Sequence, residues 1–325
     1  MNHPKSVRAE AFANIALIKY WGKQDRPGNY PAVPSLSLTL DGLRTETCIT
    51  LAPDLDEDEI FLDGERAVSR PNERVVAMLD AVRARANSAT RVRIDTRNDF
   101  PTAAGLASSA SGFAALVCAA NCAFGANLNI AQQSSLARAS SASAARSLFG
   151  GFVTLDAGAE SAESLALPDF WDLVLLVAVT VSGKKAIGST EAMNLTRSTS
   201  PYYSAWVQTA PELFAESKAA VLTRDLERLG TTMEQSTLMM HATMLATRPA
   251  IIYQAPATIA VLHAVRSLRQ DGFQAYFTMD AGPHVKVLCR REDAERVRSQ
   301  LASIQGVREV LLTKPGGAAR QLNET

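Results

Sequence analysis

The sequence lacks an excess of charge of either sign. Lysine and arginine together number 33, as do aspartate and glutamate, so the formal net charge is zero at pH 7. Nucleic-acid-binding proteins usually carry a basic excess, and we therefore expect no nucleic-acid partner. The 325 residues are 47% apolar and 20% charged, which is ordinary for a globular protein and enough for one large domain or two medium ones.

Cysteine patterns and long apolar runs are also missing. The four cysteines form no CxxC pair and no disulfide-like framework, and Cys118 and Cys122, one helical turn apart, are typical of small core residues. The N-terminal residues contain no apolar segment followed by a cleavage site, and no run of about 18 apolar residues occurs. We expect a cytoplasmic protein with no membrane partner.

The periodicity of apolar residues predicts an α/β protein. The first half alternates as strands do, with a hairpin around Asp63–Gly64, and a buried helix is predicted from Leu106 to Ala123. From about Ser189 helical spacing dominates, and strands return near the end of the chain. The second half therefore resembles a sandwich of helices on antiparallel strands, and we place the domain boundary between 1–185 and 186–325.

The stretch NDFPTAAGLASSASG, residues 98–112, is almost free of charge and of large side chains. If it opens a helix, unpaired backbone N–H groups and the helix dipole would attract an anion, and small residues would let a phosphate approach. The hydroxyls of Ser108 and Ser109 would be available to phosphate or to a metal ion. The stretch is not a P-loop, because no GK[ST] follows. A tight turn that packs a helix closely would also need small residues.

Three further stretches carry polar residues suited to anions. Residues 139–151 contain Ser141, Ser143 and Arg146, and a helical turn at 143–149 would place Ser143 and Arg146 on one face. KYWGK brings Lys19, Tyr20 and Lys23 to a predicted strand end. An ordinary linker and an ordinary strand end are the alternatives.

Asp280 stands between an apolar strand and a Gly-Pro turn, with few charges nearby in the sequence. It is either a turn former or a group that accepts a hydrogen bond from a substrate hydroxyl. An anion-binding helix start, a Ser/Arg pair, a lysine cluster and an isolated carboxylate together indicate phosphoryl transfer to a small anionic acceptor.

These blocks resemble those of mevalonate diphosphate decarboxylases, members of the GHMP kinase superfamily. NIALIKYWGK, PSLSLTL, NDFPTAAGLASSASGFAAL, SASAARSLFGGF, KKAIGSTEAM and MDAGP occur in the family's order. The resemblance implies a GHMP kinase fold, with an N-terminal ATP-binding α/β domain, a C-terminal ferredoxin-like α/β domain, and the active site in the cleft between them. It also implies a homodimer.

The resemblance implies a reaction and its residues. ATP, with Mg²⁺, phosphorylates the 3-hydroxyl of mevalonate 5-diphosphate, and loss of the 3-phosphate with carbon dioxide gives isopentenyl diphosphate. Asp280, Lys19 and Arg146 resemble the catalytic residues. The residues implied to bind substrate are Tyr20, Lys23, Ser141, Ser143, Arg146 and Ser189. Those implied to bind ATP are Pro101, Ala104, Gly105, Leu106, Ala107, Ser108, Ser109 and Lys185, with Ser108 or Ser109 at the metal.

The chain departs from the family at one block. The family usually has G-S-G-S where this chain has Ser140, Ser141, Ala142 and Ser143. Serine and alanine adopt a narrower range of backbone angles than the two glycines that they replace. The substrate therefore stays open between mevalonate 5-diphosphate and mevalonate 5-phosphate. A GHMP kinase of the mevalonate 3-kinase type, which stops after phosphorylation, and a non-catalytic ligand sensor are the rival functions.

Overall fold

The computed structural model describes residues 6–67, 71–100, 108–180 and 187–322. The strands of this part of the chain are β1 (Ser6–Ile18), β2 (Ser35–Leu51), β3 (Glu59–Leu62), β4 (Glu65–Arg66), β5 (Val92–Asn98), β6 (Phe152–Leu155), β7 (Glu163–Ala166), β8 (Leu173–Val179), β9 (Ala275–Met279), β10 (Val285–Arg290), β11 (Glu309–Thr313) and β12 (Arg320–Leu322). The helices are α1 (Pro71–Ala86), α2 (Ser108–Phe124), α3 (Ile130–Ser140), α4 (Ser189–Thr199), α5 (Tyr203–Thr223), α6 (Leu226–Leu245), α7 (Pro256–Gln270) and α8 (Ala294–Ala302).

The first sheet is built around the long antiparallel pair of β1 and β2. Its order is β12-β1-β2-β5-β3-β4, with β6 beside the start of β2 and β7 beside β6. All its pairs are antiparallel except β3 with β5. The predicted hairpin at Asp63–Gly64 is confirmed, because both residues have the positive φ that such a turn requires.

Helix α2 packs against the first sheet through small side chains. Ala114, Ala115, Ala119 and Ala120 are fully buried, in a core that includes Ile49 and Val92. Alanine lets helix and sheet approach closely, which explains the composition of this segment. The structure describes α2 from Ser108, so the predicted start at Leu106 lies outside the described residues.

The second sheet is antiparallel throughout, in the order β11-β8-β10-β9. One face packs on α7 and α8, with Val261 and Val297 in the core. Residues from the other face, such as Leu175 and Tyr276, share a core with α5, α6 and the ends of β1 and β2. This shared core joins the two sheets and brings the end of β1 towards the end of β9. The expected α/β architecture is confirmed.

The last strand returns to the first sheet. β12 pairs with β1, and Arg320 donates to Glu10, a carboxylate that is only 3% exposed. Just before it, the Gly316 N–H donates to the Thr39 carbonyl at 2.8 Å, and the Gly316 carbonyl accepts from Gly151 at 2.9 Å. Across the described ranges, no helix is both long and apolar enough to cross a membrane.

Candidate active site

A carboxylate with two lysines lies where the two sheets meet. Lys19 Nζ donates to Asp280 Oδ1 at 2.8 Å, and Lys286 Nζ lies 3.0 Å from Oδ2. The lysine side chains are 1% and 2% exposed, whereas Asp280 is 29% exposed. The carboxylate is therefore the member of this trio that faces open space, and the lysines lie behind it.

Lys19 is fixed at the end of β1 by contacts to helix α6, to Asp280 and to β1 itself. Its backbone N–H donates to Ser236 Oγ of α6 at 3.0 Å, and its Nζ also donates to the Ala16 carbonyl at 2.8 Å. Two acceptors for one buried ammonium group restrict its position. The lysine is thus held in place before any ligand binds.

Asp280 and Lys286 are brought together by the register of β9 and β10. Lys286 lies directly opposite Thr278, two residues before Asp280. Because side chains alternate along a strand, Thr278 and Asp280 point to the same side, and the cross-strand partner Lys286 shares that side. The Thr278 hydroxyl also hydrogen-bonds that of Thr237 on α6 at 3.0 Å, which fixes this end of β9.

The two lysines determine the charge of Asp280. Burial alone would raise the pKa of this carboxyl group, but the ammonium groups of Lys19 and Lys286 outweigh it and hold the pKa well below its usual range. Burial lowers the pKa of Lys19 to about 8, against the opposing effect of Asp280. Asp280 has few charged neighbours in the sequence, and residues remote in the chain supply its counter-ions in the fold.

Arg146 is a buried cation for which the described residues provide no carboxylate partner. It lies in a 3-10 helix at Ala142–Leu148, where its Nη1 donates to Ser35 Oγ at 2.9 Å and its Nε to Asn14 Oδ1 at 3.4 Å. Burial lowers its pKa to about 10, which still leaves it charged at neutral pH. A guanidinium held by neutral acceptors keeps N–H donors for an anion.

Ser141 and Ser143 lie beside each other at the start of this 3-10 helix, with their hydroxyl oxygens 3.2 Å apart. The predicted helical turn is confirmed. Ser140 ends α3, Ser141 is extended with φ −157°, and Ser140 to Ala142 all avoid positive φ. The backbone here needs no glycine, so the departure from G-S-G-S introduces no strain.

Tyr20 and Lys23 line a polar region next to α4. Lys23 Nζ donates to Asn29 Oδ1 at 2.7 Å and to Thr190 Oγ1 at 3.2 Å. Burial, followed by the nearby charge of Arg74, lowers the pKa of Lys23. The Tyr20 hydroxyl is buried and finds no hydrogen-bond partner in the described part of the chain, and burial raises its pKa. It therefore stays protonated and can donate to an anion.

Gly22 lies between these two residues and is closely covered by Tyr203 of α5. Its φ is +110°, a conformation that disfavours L side chains, and a Cβ placed there would lie 2.2 Å from Tyr203 Oη. The tyrosine ring thus occupies the space that any other residue would fill. The glycine of KYWGK is required by this contact.

The residues expected at ATP are only partly described. Pro101, Ala104, Gly105, Leu106, Ala107 and Lys185 lie outside the described residues. Ser108 and Ser109 begin α2, and Ser109 borders an apolar pocket of about 130 Å³ whose walls include Phe61, Val75 and Phe113. Ser189 begins α4, next to the Lys23 partner Thr190, and the N-cap Gly188 leaves that helix end without a side-chain hydrogen bond.

Comparison with known proteins places these features in a family. Residues 11–166 match the diphosphomevalonate decarboxylase-like N-terminal domain, and residues 175–316 match the mevalonate 5-diphosphate decarboxylase C-terminal domain. The diphosphomevalonate decarboxylase of Candida albicans is 33% identical over 316 residues, which cover 91% of this chain and 87% of that protein. The chain belongs to the diphosphomevalonate decarboxylase family.

Solved structures of the decarboxylase family have the same fold. Mevalonate diphosphate decarboxylase from Staphylococcus aureus superimposes with a TM-score of 0.93 at 37% identity, over 98% of both chains. MDDEF in complex with MVAPP, AMPPCP and magnesium gives a TM-score of 0.91 at 36% identity, over 98% of this chain and 99% of that one. The expected GHMP kinase fold is confirmed.

The polar cluster of this decarboxylase includes residues that the sequence patterns did not single out. Lys286 and Asn14 are the clearest, because they contact Asp280 and Arg146 directly. Each carried a local signal, since a lysine in HVKVLC and an asparagine in AFANIALI interrupt apolar strands. A buried polar residue needs a partner, so such interruptions indicate a polar cluster. Tyr203 gave no such signal.

The described residues contain no group of three or more His, Cys, Asp and Glu that would hold a metal ion. The side chains that converge on Asp280 are instead cationic. These cationic N–H donors suit an anionic ligand. A magnesium ion at a decarboxylase site of this kind would enter with the phosphates of ATP, as part of the substrate.

Proposed function

We propose that the protein is an ATP-dependent decarboxylase that converts mevalonate 5-diphosphate to isopentenyl diphosphate by way of 3-phosphorylation. The observation that supports this most directly is the ionised Asp280 carboxylate, which faces open space between Lys19 and Lys286. Its solved relative MDDEF was captured with MVAPP, an ATP analogue and magnesium, and shares the fold over 98% of this chain.

The charge balance of the site suits this reaction. Three buried cations, Lys19, Lys286 and Arg146, accompany one carboxylate, and their excess positive charge would stabilise the carboxylate and phosphate groups of the substrate. Asp280 would accept a hydrogen bond from the 3-hydroxyl and orient its oxygen towards the phosphoryl group. As the new O–P bond forms and the P–O bond to ADP breaks, the hydroxyl proton would pass by way of Asp280 to an oxygen of the transferred phosphoryl group. Because its pKa is low, Asp280 does not retain that proton and acts as a hydrogen-bond acceptor and a fixed negative charge.

The second half of the reaction uses the same carboxylate. The C3–O bond breaks as phosphate leaves, and the electron pair of the bond to the carboxyl carbon becomes the new double bond as carbon dioxide departs. Positive charge develops at C3 during this step, and the negative charge of Asp280 would stabilise it. Arg146, which keeps donors free, would hold the substrate carboxylate until it departs.

The diphosphate of the substrate would bind where Tyr20, Lys23, Ser141, Ser143 and Ser189 were predicted to act. The Tyr20 hydroxyl is a buried donor without a partner among the described residues, and Lys23 is held by neutral groups alone. Donors of this kind favour phosphate oxygens. The N-terminus of α4 would add its dipole.

ATP would place its base in the apolar pocket beside α2 and its phosphates at the segment that precedes this helix. Ser109 at the pocket edge and the backbone at the start of α2 support this location. Lys185, with Ser108 or Ser109 near the metal, stays a prediction. Magnesium supplies charge neutralisation for the phosphates as they react.

The rival functions are separated by one coupled assay. Mevalonate, its 5-phosphate and its 5-diphosphate are each incubated with Mg–ATP, and ADP and carbon dioxide are measured. The 5-diphosphate should be preferred and should release one carbon dioxide per ADP. ADP without carbon dioxide would identify a 3-kinase, preference for the 5-phosphate would identify the other decarboxylase, and binding without turnover would identify a sensor.

Substitution of Asp280 tests the site itself. Asp280→Asn should lower kcat by roughly 10²–10⁴-fold, since it removes the negative charge and replaces one of the two carboxylate oxygens with an N–H donor. Asp41→Asn is the matched control, because Asp41 is also paired with a lysine, Lys314, but both are exposed. Unchanged turnover in Asp280→Asn would refute the assignment.

Three further features are proposed with the function. The domains divide at 1–185 and 186–325, and the protein acts in the cytoplasm as a homodimer. None of the four cysteines forms a disulfide in the described part of the chain, which supports a reducing compartment. Sedimentation analysis of the purified chain checks the dimer.

A further inference from the structure

Lys286 is a charged residue in the core of the second sheet. It lies on β10 between Val285 and Val287, which are fully buried, and its own side chain is 2% exposed. A buried ammonium group is costly unless it is paired. Within the described part of the chain, its ion-pair partner is Asp280. The burial of the Lys286 ammonium group is therefore compensated by its ion pair with Asp280.

The two lysines of Asp280 occupy different positions relative to it. Lys19 binds Oδ1 and comes from the first sheet, whereas Lys286 binds Oδ2 and comes from the second. Only the carboxylate has appreciable exposure, so Lys286 cannot reach a ligand that binds in front of Asp280. Whatever Lys286 does in the reaction is done through Asp280.

With both oxygens held, the carboxylate cannot rotate about its Cβ–Cγ bond without breaking an ion pair. Lys19 holds Oδ1 and also donates to the Ala16 carbonyl. The other charged or titratable groups around the carboxylate are Arg146 and His241, and burial lowers the pKa of His241 to about 4, so it is neutral.

We propose that Lys286 is a positioning residue of the decarboxylase: its ammonium group is the counter-ion of Asp280 Oδ2 and, together with Lys19 at Oδ1, keeps the carboxylate ionised and oriented. This inference rests on the proposed function. Lys286 acts on the reaction only through Asp280.

The kinetic test compares Lys286→Met with Lys314→Met. Methionine keeps the length and the apolar stem of lysine, and Lys314 pairs with Asp41 at 3.3 Å in an exposed ion pair, which contributes little. Lys286→Met should lower kcat by about 10²-fold, as misplacement of a reacting group does, with little change in KM. It should also move the acidic limb of the pH profile of kcat to higher pH, because Asp280 would become easier to protonate.

A double-mutant cycle distinguishes positioning from a general structural role. In an Asp280→Asn background, Lys286→Met should lower kcat no further, because the group through which it acts is gone. An equal loss of kcat in both backgrounds would overturn the proposal, as would a Lys286→Met enzyme with wild-type kcat and pH profile.

A measurement on the unmodified protein covers the case in which Lys286→Met does not fold. The side-chain carboxyl of Asp280, labelled with ¹³C and assigned with Asp280→Asn, should not titrate between about pH 4 and pH 8. An ordinary aspartate, with a pKa of about 3.9, is about half protonated at the lower end of that range and loses the remaining proton within it. A titration within it would overturn the proposal. This readout needs no turnover, so failure of the proposed function in the substrate assay would be recognised separately.

Discussion

Replacing Gly22 with alanine tests whether the KYWGK segment is shaped by its contact with α5. Gly22 has a φ of +110°, and its added Cβ would lie 2.2 Å from Tyr203 Oη and 3.0 Å from Cζ. Two costs are expected, one from the backbone conformation and one from the overlap. The two costs can be separated, because an alanine at some other glycines of the chain would carry only the cost of the backbone conformation.

The magnitude follows from these two costs. An L residue in a left-handed conformation costs about 1–2 kcal/mol, and overpacking of a close contact costs about 1–3 kcal/mol. Gly22→Ala should therefore lower the free energy of unfolding by about 2–5 kcal/mol. Gly42→Ala is the control, since Gly42 has φ +84° with nothing within 4 Å of its Cβ, and it should show the backbone cost alone.

Urea unfolding of four variants measures both costs. Besides the two alanine variants, Tyr203→Phe removes the hydroxyl, and the double variant Gly22→Ala/Tyr203→Phe should recover most of the overlap cost. Because Tyr20 and Lys23 flank Gly22, KM for the mevalonate substrate should rise in Gly22→Ala and fall back in the double variant. Equal destabilisation by Gly22→Ala and Gly42→Ala would refute the reasoning.

Three other predictions concern the site. Arg146→Met should weaken substrate binding by about 2–5 kcal/mol in calorimetry and lower the free energy of unfolding by less, since it breaks hydrogen bonds to Ser35 and Asn14 but no protein ion pair among the described residues; a destabilised protein with unchanged substrate binding would contradict this. For Lys19, activity should fall as pH rises through about 8, and Lys19→Arg should move this limb to higher pH. The pKa of Lys19 is about 8 in the folded protein and 10.5 in the unfolded chain. Between these two pH values the unfolded chain keeps the Lys19 proton and the folded protein does not, so Lys19 adds to the free energy of unfolding as pH rises while activity declines. Ser140→Gly combined with Ala142→Gly should cost about 1–2 kcal/mol in urea unfolding with KM unchanged, and a changed KM would show that the glycines of the family matter for the substrate.

The elements that were predicted well are those whose residues form a strong local pattern. The alternation that predicts strands in the first half of the chain is clear at residues 35–51, which form β2, and the hairpin predicted at Asp63–Gly64 is present. β7, with the sequence ESLA, and β12, with RQL, were not anticipated, because short and mostly exposed strands carry no apolar alternation. Their existence depends on neighbouring strands rather than on their own composition.

In the candidate site, too, residues with a clear local signal were predicted, and residues that depend on distant segments were not. Motifs pointed to Lys19, Arg146 and Asp280, each of which is unusual within its own segment. The further partners Lys286 and Asn14 were not predicted, because pairing is decided by register and packing between distant segments. Thus Lys286 meets Asp280 only through the alignment of β9 with β10, and Asn14 meets Arg146 from 132 positions away.

The ion pair between Lys19 and Asp280 joins residues 261 positions apart, and this separation has a consequence for folding. During synthesis the lysine leaves the ribosome long before its carboxylate exists, so that ammonium group is solvated or bound elsewhere until the second sheet has been made. Contacts of such long range form late, because the chain entropy they cost is recovered only when the intervening segments are in place. The pair therefore closes at the end of folding, and the appearance of activity in a refolding experiment reports completion of the whole chain.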